Sequence, residues 1–163
     1  MKDRDGAFAD YFASRSSIMR GTAYLLCGDW HRAEDLVQTA FVKLYRAWHR
    51  IATHETLDAY TRQILVRTFL DETRRGFFHR ERPTAEHDEL FEPTAGSVED
   101  RMVLLRALAD VAPRQRAALV LRYWEDMSIE DTAKALKCTA GTVKSQTARG
   151  LDALRHLVPT ATF

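Results

Sequence analysis

The chain has 163 residues, 45% apolar and 29% charged, which is the composition of a globular protein and enough length for one compact domain or two small ones. No apolar run approaches the ~18 residues needed to cross a bilayer, and the opening MKDRDGAFADYF lacks the apolar core of a signal peptide, so membrane insertion is excluded and a cytoplasmic location is expected. The net charge of +1 hides a division: residues 1–78 carry 12 Lys and Arg against 10 Asp and Glu, residues 79–100 carry 2 against 7, and residues 101–163 carry 10 against 6. Neither basic end is charged enough to bind nucleic acid tightly alone, because neutralised phosphates supply most of that affinity.

Along the chain, Phe8, Tyr11, Phe12, Arg15, Met19, Thr22 and Leu26 define a first amphipathic helix that Gly28 and Asp29 interrupt. From Ala33 the positions Ala33, Leu36, Val37, Ala40, Phe41, Leu44, Tyr45 and Trp48 follow the i, i+3, i+4, i+7 template throughout. The opposite face, with Glu34, Asp35, Gln38, Thr39, Lys43 and Arg46, is acidic to polar early and basic late, as a helix dipole favours. Residues 50–56 break the pattern. A third helix is expected over residues 57–75, with Leu57, Tyr60, Ile64, Leu65 and Thr68 facing inward and Arg62, Arg67, Asp71, Arg74 and Arg75 elsewhere. Basic residues beside Phe77 and Phe78 suit single-stranded nucleic acid, although arginines in a last helical turn are also ordinary structure.

Residues 79–98 are acidic, contain Pro83, Pro93 and Gly96 and show no sustained apolar period, the composition of a flexible linker. About 20 extended residues reach roughly 66 Å. Beyond it, Val98, Met102, Leu105, Leu108 and Ala109 recur at helical spacing, and Pro113 opens a further helix with the stripe Ala117, Val120, Leu121 and Trp124. No sheet-forming alternation occurs. The fold class is therefore all-α, two small helical domains on an acidic tether: residues 1–78, the linker 79–98, residues 99–158 and a tail 159–163.

Residues 128–155 read as a helix-turn-helix. Ser128 caps the first helix, Glu130 and Asp131 occupy its first turn, and Ile129, Ala133 and Leu136 share a face. After Lys137 and Cys138, Thr139 caps the second helix, which Val143, Thr147, Leu151 and Leu154 hold in place, with Ala133 and Gly141 small enough for a close crossing. Thr142, Lys144, Ser145, Gln146, Ala148 and Arg149 are left on its outer face, near the N-terminal end, where a recognition helix meets base edges. Read from the residues alone, a hairpin with a solvated polar face fits the pattern equally well. Cys27 and Cys138 lack ligand spacing and are expected as buried free thiols, and the six histidines form no HxxxH or HExxH pattern. No catalytic constellation, metal site or cofactor is expected.

Four blocks together resemble the extracytoplasmic-function sigma factors, specifically their SigE-like branch: GDWHRAEDLVQTAFVKLYRAW from Gly28, LDAYTRQILVRTFLDETRR from Leu57, APRQRAALVLRYWEDMS from Ala112 and TAGTVKSQTARGLDALR from Thr139. The resemblance covers almost the whole chain. It implies an alternative sigma factor, not an enzyme, that brings core RNA polymerase to particular promoters and starts strand opening. By the same resemblance Asp35, Gln38 and Thr39, with Glu34 nearby, would meet polymerase. Residues 50–56 would form a base-capturing loop at the melted −10 element, with Arg62, Arg67, Thr68, Asp71, Arg74 and Arg75 along its DNA-facing helix. Thr68 stands where the family often has Asn. The duplex −35 element would meet Thr142, Lys144, Ser145, Gln146, Ala148 and Arg149. Lys137 replaces the Gly usual in this turn, which predicts strain at a positive φ. The linker would lie in the polymerase cleft, and an anti-sigma factor is a further partner the resemblance implies. The alternative from the residues themselves is a stand-alone helix-turn-helix regulator that dimerises through residues 33–48.

Overall fold

A computed structural model describes residues 3–51, 57–76 and 98–158. Most of the expected base-capturing loop and of the acidic linker, with the tail, lies outside the described residues. Among the described residues the fold is all-α, as expected, and no helix is long and apolar enough to cross a membrane.

Helix α1 (Arg4–Cys27) starts at Asp3, whose carboxylate accepts from the Asp5 amide at 3.2 Å, and stops at Gly28, where φ is 77° and the amide closes on the Tyr24 carbonyl at 2.8 Å. That left-handed turn favours glycine, which has no Cβ to clash. It folds α2 (Trp30–Ile51) back on α1, and Tyr24 stacks on Trp30 with centroids 4.0 Å apart and planes 4° from parallel. The apolar stripe expected on α2 is buried, from Ala33 through Leu36, Val37, Ala40, Phe41 and Leu44 to Trp48, with Tyr45 at its edge. Edge-on ring contacts of Phe8 with Tyr45 and Trp48, at 5.1 and 5.3 Å, and of Phe12 with Phe41 at 4.9 Å pin the far end of the pair.

Helix α3 (Leu57–Arg74) crosses both. Its first turn is tied to α1 by Asp58, which accepts from the Tyr11 hydroxyl at 2.6 Å and pairs with Arg15 at 3.1 Å. Burial, followed by the bond to Asp58, pushes the Tyr11 phenol well above its ordinary range. Leu65, Val66 and Phe69 seal the centre, and Lys43 of α2 donates to the Thr68 hydroxyl at 3.0 Å.

The second half comprises α4 (Val98–Ala109), α5 (Pro113–Leu119), α6 (Ile129–Leu136) and α7 (Ala140–Leu157). Pro113 occupies the first turn of α5, where its missing N–H costs nothing. Helix α5 runs into a π-helical turn, Val120–Trp124, where the Glu125 amide reaches back five residues to the Val120 carbonyl at 3.0 Å. Asp126 follows at φ 53°. Trp124, expected in the buried stripe, is 44% exposed because the wider turn rotates it outward. Gly141, expected to allow a close crossing of α6 and α7, is exposed with ordinary clearance; the tight approach of α7 is to α5, where a Cβ on Gly150 would sit 2.8 Å from the Leu119 methyl. Helix α3 packs on α5 and α6, and α1 on α4, so one continuous core joins the two halves.

Candidate nucleic-acid interface

Helices α6 and α7 and the turn between them are built as the residues predict. The Ser128 hydroxyl accepts from the Asp131 amide at 3.0 Å, and the Thr139 hydroxyl from the Thr142 amide at 3.1 Å. The turn is made by Lys137 at φ 56° and ψ 50°, with its amide on the Lys134 carbonyl and that of Cys138 on the Ala133 carbonyl. A lysine held there stores ~1 kcal/mol of strain that glycine would avoid. Val143 and Gly150 are buried and fix the rotation of α7.

That rotation presents Lys144, Ser145, Ala148 and Arg149 to solvent and leaves Thr142 and Gln146 half-buried. The hydroxyls are partly occupied within the helix: Ser145 donates to the Thr142 carbonyl at 3.1 Å, and Thr142 shares a bond with Thr139 at 3.0 Å. Lys144 and Arg149 are the long cationic side chains of this face.

The six residues expected along α3 are distributed differently. Arg74 and Arg75 are exposed, Arg74 pairing with Asp71 at 2.6 Å. Thr68 is 2% exposed and holds Lys43, so it belongs to the α2–α3 joint. Arg62 pairs with Glu125 at 2.5 Å, and Arg67 donates to the Lys134 and Ala135 carbonyls at 2.8 and 3.0 Å. Between α3 and the helix-turn-helix a cleft of about 670 Å³ brings Arg67, Asp71, Arg74, Arg114, Lys137 and Arg149 together. Five cations around one carboxylate make it an anion-attracting space.

On α2, Glu34, Asp35 and Gln38 are exposed and Thr39 is half-buried; Glu34 pairs with Arg20 at 3.0 Å. Val42, one turn further along the same face, is 50% exposed and is the apolar member that the polar pattern conceals. Glu72 of α3 lies behind this face, and burial raises its carboxyl above the usual range, with Lys43 opposing and Asp35 reinforcing the shift. Cys27 is buried, as expected, and burial pushes its thiol up to about 12, while Cys138 is half-buried.

Two residues that sequence reasoning did not single out organise the joint. The Arg116 guanidinium of α5 donates to the Ala109 and Val111 carbonyls at 3.0 and 2.9 Å and to the Leu26 carbonyl of α1, and lies 5.7 Å from the Phe69 ring centre. Glu125 reaches the other way, toward α1 and α3. Nothing in its local sequence separates it from a solvated acid.

Comparison with known proteins matches residues 12–76 to the family model described as Sigma-70 region 2 and residues 101–154 to that described as Sigma-70, region 4. The chain is 39% identical over 153 residues to an RNA polymerase sigma-E factor of Streptomyces avermitilis, covering 91% of this chain and 83% of that one. It is 30% identical over 155 residues to the ECF RNA polymerase sigma factor SigM of Mycobacterium tuberculosis, covering 93% and 77%. Among solved structures, the sigma factor RpoE in complex with the anti-sigma factor NepR from Bartonella quintana aligns with a TM-score of 0.71 at 26% identity, covering 92% and 95%. CnrH in complex with the cytosolic domain of CnrY has the same fold, with a TM-score of 0.65 at 19% identity.

Proposed function

This chain belongs to the extracytoplasmic-function sigma factors of RNA polymerase, and from that premise we propose how its two halves divide the work. It is an alternative sigma factor: it directs core polymerase to particular promoters and initiates strand opening. Its role is regulatory, with the chemistry left to polymerase, and it works in the cytoplasm where polymerase and DNA are. The observation that carries the reading is the presence of both sigma regions in order on one chain. A stand-alone regulator has no use for the first, and that alternative is not favoured.

In this division Glu34, Asp35, Gln38 and Thr39 on α2 dock on core polymerase, with Val42 adding apolar contact. Lys144, Gln146 and Arg149 of α7 read the duplex −35 element, Thr142, Ser145 and Ala148 completing the surface. Lys and Arg suit guanine and Gln suits adenine, each good bidentate pair contributing about 1–3 kcal/mol of discrimination. On α3, Arg62, Arg67, Asp71, Arg74 and Arg75 follow the melted −10 strand, where leaving the stack costs a few kcal/mol that the protein must repay. Thr68 acts by positioning Lys43 and α3. Each half binds weakly. Polymerase holds both at fixed separation, so each raises the other's effective concentration and specificity becomes the product of two readings. An anti-sigma factor, such as the one bound to the Bartonella relative, is the regulatory partner this role calls for. Residues 79–98 serve as the acidic linker inside the polymerase cleft.

The test is reconstituted transcription. Purified chain added to core polymerase should form a holoenzyme that initiates at mapped start sites, whereas the chain alone should give no band shift at moderate salt. Tight DNA binding without polymerase, or failure to associate with core, would overturn the reading.

A further inference from the structure

The chain as a whole carries a charge of only +1, yet the cleft of about 670 Å³ between α3 and the helix-turn-helix gathers five cations around the single carboxylate of Asp71, an excess of four positive charges. Arg74 already pairs with Asp71 at 2.6 Å, which leaves Arg67, Arg114, Lys137 and Arg149 with no carboxylate partner among the described residues. Like charges gathered in this way repel, and an anion placed between them removes that cost.

Two of the cations are fixed before any ligand arrives. Arg67 donates to the Lys134 and Ala135 carbonyls and Arg114 to the Leu136 carbonyl at 2.8 Å, so the C-terminal end of α6 holds both guanidinium groups, and each keeps N–H donors for a phosphate. Lys137 lines the same cleft from a backbone at φ 56°, where glycine would form the turn with less strain but would bring no charge. Leu70, Pro113 and Leu136 add an apolar wall beside the cations. A volume of this size lies within the range of small-molecule sites, and an apolar wall next to clustered cations suits a ring that carries phosphates.

We propose that this cleft is a binding site for a nucleoside polyphosphate, its phosphates held by Arg67, Arg114, Lys137 and Arg149 and its base laid on the apolar wall. The site itself does not depend on the sigma-factor reading. Under that reading Arg149 is shared, so a bound nucleotide and a −35 contact draw on the same side chain and exclude one another.

The experiment is isothermal titration calorimetry of the full-length chain at low salt without magnesium, with ATP, inorganic tripolyphosphate and adenosine as probes. The wild type should bind one ATP per chain, tripolyphosphate several-fold more weakly and adenosine not measurably. Lys137→Gly and Arg114→Ala should each weaken ATP binding about tenfold, the loss expected for one charge-assisted contact. Arg155→Ala, which removes an exposed cation of α7 outside the cleft, should leave it unchanged. A thermal melt keeps the result free of folding effects: Lys137→Gly relieves the left-handed strain and should melt at or above the wild-type temperature while losing ATP. No ATP binding tighter than about 1 mM, or a loss in Arg155→Ala equal to that in Lys137→Gly, would overturn the site. Tripolyphosphate binding as tightly as ATP would overturn the assignment to a nucleoside. A chain that binds ATP as expected but fails to support transcription would instead overturn the sigma-factor reading and leave the site standing.

Discussion

Helices α3 and α7 both carry the basic residues expected of a nucleic-acid reader, yet they stand in different states. The outer face of α7 is held at the surface by two buried anchors, Val143 and Gly150, and its Lys144 and Arg149 are exposed. On α3 the cations divide: Arg74 and Arg75 are exposed, while Arg62 and Arg67 are consumed by contacts to the second half. The difference shows that a reading face is defined by what its side chains are doing as well as by which residues they are. A duplex reader that only positions can be left open. On α3, the helix proposed to engage a melted strand, Arg62 and Arg67 are committed to the second half while Arg74 and Arg75 are open.

The largest way to disturb this contrast is to remove the joint's centre. Arg116→Ala deletes a planar fork that serves carbonyls on α1, on α4 and beyond it, so several part-buried acceptors lose a charged donor together. The expected cost is ~3 kcal/mol, a fall in Tm of roughly 6–12 °C for a chain of this size. Arg116→Lys should recover little, because one ammonium cannot span the acceptors. A thermal melt checks both, and a change below about 2 °C would mean that hydrophobic contact alone holds the halves together.

Next in size are the residues proposed to read DNA and to meet polymerase. Lys144→Ala with Arg149→Ala should reduce use of a −35-dependent promoter by tenfold or more, from about 1–3 kcal/mol per lost base contact, with core affinity unchanged. Asp35→Ala with Gln38→Ala should do the reverse: about a fivefold to tenfold loss of affinity for core, since exposed polar contacts are individually modest, and no change in −35 preference once holoenzyme is saturated. In vitro transcription with titrated core polymerase separates the two. If both pairs lowered the same parameter, the division of labour between α2 and α7 would be wrong.

How much of this the sequence could disclose depends on the range of the cause. The caps at Ser128 and Thr139, the stop at Gly28, the positive φ at Lys137 and the buried stripe of α2 are set by neighbours within a few residues, and each is legible in the one-dimensional pattern. The exposed face of α7 follows from the same periodicity. The inward side of Thr68 follows from periodicity, but its bond to Lys43 and the roles of Glu125 and Arg116 depend on partners between 25 and 103 residues away, of which periodicity carries no trace. Trp124 failed for a related reason: the π-helical turn shifts the register after Val120, so a stripe projected at 3.6 residues per turn points the ring inward where the chain turns it out. Gly141 and Gly150 both lie in α7, and only the packing of Gly150 against Leu119 of α5 shows which of them sits at a tight helix approach.

The smallest effect lies where the face of α2 proposed to meet polymerase borders α3. Burial raises the Glu72 carboxyl, Lys43 partly offsets this, and Asp35 adds to it. A carboxyl whose folded pKa is raised favours folding when protonated, so its ionised form costs stability, a cost absent at low pH that develops as pH rises from the unfolded value of 4.5 toward the folded one. Glu72→Gln removes that cost and keeps the shape. Glu72 is half-buried, and solvent screening limits the gain to about 0.5 kcal/mol, or roughly 1–2 °C in Tm near pH 7, and the gain should vanish near pH 4. Melts of the two chains at both pH values decide it. A gain that persisted at low pH would have to come from packing and not from charge, and the field of Asp35 would then have no part in it.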